Sequence, residues 1–67
     1  MKVKEVPFED ITEEQFIAYE KVRRSGVVNM FDVEAVSFLS ELDLPVISGI
    51  MRNYRKLMER YPNVRRN

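Results

Sequence analysis

Three separate cap signals, each followed by apolar residues at helical spacing, predict an all-α fold. The composition agrees: 45% hydrophobic residues argue for a packed core, and two glycines and three prolines are too few for a disordered chain. The expected architecture is a compact three-helix domain, with a helix-turn-helix-like second and third helix and a short N-terminal arm. Residues 1–67 form a single domain, with 1–11 as an extended arm and 63–67 as a frayed tail.

The first helix starts at Thr12. Thr12 and Gln15 have the spacing of a capping box, and Ile11 and Phe16 flank the cap at staple positions. The helix runs to about Arg24. Gly26 follows where a left-handed residue is wanted and a Cβ would be penalised. The second helix takes Asp32 as its N-cap, with Phe31 and Val36 again at staple spacing. Val33, Val36, Leu39 and Leu42 line one face with Phe38 beside them, and the helix ends near Leu42. The third helix takes Asp43 as its cap and carries Pro45 in its first turn, where a missing N–H costs nothing. Ile47, Ile50, Tyr54, Leu57 and Tyr61 step by three and four, a heptad-like stripe. Pro62 stops this helix. Arg52, Arg55, Lys56 and Arg60 crowd its C-terminal half, which the helix dipole favours. In the arm, Val6 or Phe8 packs onto the helices.

Sixty-seven residues without cysteine or histidine have neither a disulfide nor the usual zinc ligands to staple them. A chain this short buries about 60% of its unfolded surface. It must therefore pack very well or associate, and a homodimer through helix three is the expectation. The stripe of that helix serves either an internal core or a second chain. No run reaches the roughly 18 apolar residues of a membrane span. The N-terminal segment lacks the apolar stretch of a signal peptide, which makes a cytoplasmic location the expectation.

The net charge is zero, but the charges come in blocks. Residues 1–20 carry −4, Lys21, Arg23 and Arg24 add +3, residues 32–45 carry −4 and residues 46–67 carry +5. Such blocks are either solvated helix faces that attract one another within the fold, or a basic C-terminal surface awaiting an acidic partner or phosphate.

No catalytic constellation is present. Ser25, Ser37, Ser40 and Ser48 have no histidine to act as base. The carboxylate pairs Glu9–Asp10 and Glu13–Glu14 are explained by the start of a helix. Gly26 and Gly49 stand alone and make no phosphate loop. The expectation is a non-enzyme without cofactor or metal.

The run Ala35–Ile50 has the apolar spacing of a helix-turn-helix. In a DNA reader the start of its second helix enters the major groove. Here that turn offers Pro45, Val46, Ser48 and Gly49, none of which reads base edges well, and Glu41 and Asp43 would repel phosphates. On that reading Ser48 and Arg52 lie near bases, and Arg55, Lys56 and Arg60 lie on phosphates. Gly49 in mid-helix costs about 1 kcal/mol against alanine. It is either a tolerated defect or the place where a second backbone comes close. Val27, Val28, Met30 and Phe31 are four apolar residues within five positions, too many for an idle loop. They either plug the core or form a contact patch bordered by Arg23 and Arg24.

Val22-Arg23, Ser25-Gly26 and Asn29-Met30-Phe31-Asp32 resemble the shared core of small helical proteins encoded by phages and prophages. Asn53-Tyr54, Leu57 and Tyr61-Pro62 are similar to later positions of some of them. The resemblance spans roughly residues 13–62, and its specific part is the Asn-Met-Phe-Asp block. It carries over no catalytic residue. It implies an accessory protein that acts by binding a host or phage protein, components of antiphage defence included. The contact residues expected are Arg23, Arg24, Met30, Arg52, Arg55, Lys56 and Arg60.

Overall fold

The computed structural model describes residues 5–64. Among these the chain is all-helical: α1 Glu13–Ser25, α2 Val33–Ser40, α3 Leu44–Arg52 and α4 Tyr54–Arg60, with short 3-10 turns at Phe8–Asp10 and Pro62–Val64. α1 lies against α2, α3 and the closing turn, while α2 packs on α3 and α4 on the closing turn. The Cα radius of gyration is 11.1 Å, close to the roughly 11 Å of a folded chain of this length.

α1 begins and ends as its sequence dictates. The Gln15 N–H donates to Thr12 Oγ1 at 3.1 Å, and Gln15 Oε1 accepts from the Thr12 N–H at 3.0 Å. Ile11 and Phe16 are both buried beside that cap. Gly26 closes the helix at φ 67°. α2 is capped by Asp32, whose Oδ1 accepts from the Ala35 N–H at 3.3 Å. Its end comes earlier than Leu42. The Ser40 hydroxyl donates to the Val36 carbonyl at 2.6 Å and accepts from the Leu42 N–H at 3.3 Å. The Ser37 hydroxyl donates to the Leu42 carbonyl. These hydroxyls tie the chain back on itself, and Glu41 takes the left-handed position at φ 60°.

Asp43 stands at the N-cap of α3 with extended backbone, but no amide donates to its side chain. Its backbone carbonyl accepts from the Val46 and Ile47 N–H groups at 3.0 and 3.1 Å. The expected long third helix is two helices. Asn53 adopts φ −111°, and its side-chain amide donates to the Gly49 carbonyl at 3.0 Å. That carbonyl also receives the Asn53 N–H at 3.0 Å. This local side-chain bond is an alternative to regular helix, which is why asparagine marks the break. Arg55 and Lys56 consequently fall in the first turn of α4, where the helix dipole no longer favours cations.

The heptad-like stripe is core. Ile47, Ile50 and Leu57 are fully buried with Val36, Ile11 and Phe16, and Tyr54 and Tyr61 pack against them. A dimer through that stripe would have to unmake the core. The expected frayed tail is also corrected in part: Pro62–Val64 is an ordered turn, and Val64 is buried in the cluster. Residues 65–67 lie outside the described residues, as do residues 1–4 of the arm.

Gly49 has its close neighbour, and it belongs to the same chain. A Cβ there would collide with the Val6 carbonyl oxygen and stand 3.1 Å from Ile11 Cδ1. The approach is locked by the Val6 N–H donating to the Pro45 carbonyl at 3.1 Å. Glu5 adds an exposed ion pair with Arg52 at 2.7 Å, which contributes little by itself.

Two stability changes follow from these positions. Gly49→Ala is expected to lower unfolding free energy by about 1–3 kcal/mol through overpacking against the arm, despite alanine's helix preference. Urea titration followed by circular dichroism checks it, and an unchanged midpoint would show that the arm does not occupy that seat. Glu41→Gly is expected to raise stability by about 0.5–1 kcal/mol, because glycine carries no Cβ into the left-handed region. A thermal midpoint that does not rise would contradict the left-handed cap.

Candidate protein-contact site

Arg23, one of the expected contact residues, serves the interior. Its guanidinium donates twice to Glu20, at 2.9 and 3.0 Å, and Glu20 is only 2% exposed. The Tyr54 hydroxyl donates to the same carboxylate at 2.8 Å, reaching it from α4. Arg23 also stands 6.0 Å from the Tyr54 ring centre. The hydrogen bonds to Glu20 raise the Arg23 pKa above its ordinary value, against the opposing effect of burial. Beside them, burial pushes the Tyr19 phenol up; the Glu20 charge adds to this and Arg23 offsets part of it. The cluster explains why a carboxylate is tolerated in so small a core: every oxygen of Glu20 is met by a donor.

The remaining basic residues are distributed rather than gathered. Arg24 borders an open groove of about 250 Å³ with Ile17, Lys21 and Val64. Arg52 is held by Glu5. Lys56 and Arg60 lie over the Phe8 ring at 5.9 and 5.4 Å, so the arm uses them as a cover for its aromatic residue. Arg55 stands exposed on α4. Ser48 is half-buried on α3 between the buried Ile47 and Gly49. Met30 is half-buried and packed against the core cluster, as is Val28.

The turn before α2 therefore divides. Val28 and Met30 plug the core, whereas Val27 is 69% and Phe31 85% exposed. The expected staple between Phe31 and Val36 does not form: Val36 is fully buried and the Phe31 ring is in solvent. The backbone around Phe31 is nevertheless fixed. The Phe31 N–H donates to Asn29 Oδ1 at 3.0 Å, and the Asp32 N–H donates to the Asn29 carbonyl at 2.9 Å. Within the Arg23–Asp32 block, Gly26, Asn29 and Asp32 each hold a turn or a cap, and they hold Phe31 outward.

A second phenylalanine is exposed further along the same segment. Phe38, on the outer side of α2, is 83% exposed, and Leu39 beside it is 43% exposed. Sequence reasoning placed Phe38 beside the core stripe and did not single it out. The available signal was its phase: Val36 and Ser40 face inward four residues apart, which turns Glu34 and Phe38 outward together. Leu39 lines an open groove of about 390 Å³ between α1 and α2, with Ile17 and Ala18 across from it.

Comparison with family profiles, with characterised proteins and with solved structures finds no match for this chain. The site therefore rests on its own geometry. Among the described residues, no cluster of carboxylates is placed to hold a metal ion, and no helix is long and apolar enough to cross a membrane.

Arg23→Met is expected to destabilise the fold by about 2–4 kcal/mol, because it leaves the Glu20 charge buried beside fewer donors. Arg55→Met, at an exposed position of α4, should change stability by less than about 0.5 kcal/mol. Chemical denaturation of the two variants checks the contrast, and equal effects would refute the assignment of Arg23 to the interior.

Proposed function

We propose that this protein works by binding another protein, with Phe31 and Phe38 as the anchors of the contact. The observation that carries this reading is two phenylalanines more than four-fifths exposed, one in the turn just before α2 and one in its last turn. Burying a phenylalanine contributes about 1.5–3 kcal/mol. A chain this small leaves that contribution unused twice. Aromatic side chains on a pinned backbone are the residues that dominate protein interfaces, since little freedom remains to be lost on binding. The resemblance of the Asn29–Asp32 block to small phage and prophage proteins supports a host or phage protein as the partner. An inhibitor of antiphage defence is the specific role that fits that setting.

The site differs from the one expected from charge. Arg23 is committed to Glu20, Arg52, Lys56 and Arg60 to the arm, and Met30 to the core, while Arg24 lines a separate groove and Arg55 lies on α4. A helix-turn-helix role for α3 gains no support from these contacts. Val46, Ile47, Gly49 and Ile50 of α3 are buried, and the arm closes over Gly49.

The deciding experiment is affinity capture from nuclease-treated bacterial lysate, with wild type beside Phe31→Ala/Phe38→Ala. The expected result is a protein retained by wild type and lost by the double variant, whose thermal midpoint stays within a few degrees of wild type. Equal capture by both would overturn the site. Recovery of nucleic acid alone, abolished by nuclease, would favour the DNA-binding reading instead.

A further inference from the structure

The aromatic surface lies within an acidic stretch of chain. Between Arg24 and Arg52 there is no lysine or arginine, while Asp32, Glu34, Glu41 and Asp43 are all exposed there. Glu34 sits one turn from Phe38 on the outer side of α2, and Asp32 is adjacent to Phe31. Among the described residues the cations lie on α1 (Lys21, Arg23 and Arg24), at Arg52 and on α4 (Arg55, Lys56 and Arg60), and Arg23, Arg52, Lys56 and Arg60 are occupied by Glu20 or the arm.

Resting on the protein-binding reading, we infer that the occupant of this surface is a basic amphipathic helix of the partner, laid along α2 with its apolar stripe on Phe31, Phe38 and Leu39. Eight residues of α2 give about 12 Å of contact length, roughly two turns of an incoming helix. The open groove beside Leu39, with Ile17 and Ala18 on its far side, widens the apolar bed. Lysines or arginines flanking the partner's stripe would meet Asp32, Glu34 and Glu41. Lys21, the one cation lining that groove, is accompanied there by Glu14 and Glu41. A second copy of this chain is disfavoured as occupant, because a symmetric contact would set these carboxylates against their own copies, and like charges across an interface are repulsive.

The test uses a fluorescent synthetic peptide of about 18 residues, leucine and lysine at helical spacing, and its leucine–glutamate counterpart. Anisotropy titration is expected to show binding of the lysine peptide and none of the glutamate peptide. Affinity should fall about tenfold between roughly 50 and 300 mM salt, and about thirtyfold in Phe31→Ala/Phe38→Ala. Glu34→Lys, on the exposed side of α2, should weaken binding without changing the fold. Binding of neither peptide, equal binding of both, or undiminished binding to the double variant would overturn the inference. So would sedimentation of wild type as a dimer that the double variant abolishes. If the peptide arm fails while lysate capture still depends on both phenylalanines, the basic helix falls and the protein-binding reading stands. Capture independent of both residues overturns the two together.

Discussion

The seat of the arm on α3 holds the two ends of this small core together. Gly49 lets the Val6 backbone reach α3, and the bond from the Val6 N–H to Pro45 keeps it there. Ile11 is thereby delivered fully buried into the centre, and the Tyr61 hydroxyl donates to its carbonyl at 3.2 Å. Thr12, the next residue, caps α1. One close backbone approach thus positions the arm, the start of α1 and the end of α4. With no cysteine to cross-link the chain, such contacts between sequence-distant segments replace a covalent staple. The cost of a glycine in mid-helix is offset by the apolar surface that the arm covers.

Much of the helical outline was legible because caps are local. Thr12, Gln15 and Asp32 each bond within four residues of themselves, and Gly26 supplies a left-handed φ where a helix ends, so spacing alone reveals them. The failures share a different physics. Asn53 divides the third helix through a side-chain bond that competes with regular helix, and a continuous apolar stripe hides it. Glu41 occupies a left-handed position that sequence rules reserve for glycine or asparagine, because the Ser37 and Ser40 hydroxyls satisfy the chain around it. Val64 follows a helix-stopping proline and looks like tail, yet its burial depends on α1, forty residues earlier.

The site was less legible than the fold for the same reason. Charge runs show where cations are, not what they face. Arg52 meets Glu5 across 47 positions, and Tyr54 meets Glu20 across 34. Arg23 looked like the border of a contact patch, and it completes a buried carboxylate cluster instead. Phe31 was assigned to a staple by a spacing rule that states what is geometrically allowed. Whether the ring turns inward depends on how full the core already is, and Val28, Met30 and Val33 have taken that place.

Two exposed phenylalanines are a hazard for any small chain in water, and zero net charge gives little general repulsion to counter it. The local pattern supplies what the total does not. Four carboxylates accompany Phe31, Phe38 and Leu39 with no cation between Arg24 and Arg52, so copies of this surface repel one another while the whole molecule stays neutral. The same carboxylates that oppose self-association would attract a cation-bordered apolar surface. Segregating the charge rather than adding more of one sign allows both, since several of the balancing cations are occupied within the fold, Arg23 by Glu20 and Arg52, Lys56 and Arg60 by the arm. On the proposed reading, alternating charge blocks, which the sequence leaves as either solvated faces or a basic C-terminal surface awaiting a partner, keep that contact surface selective.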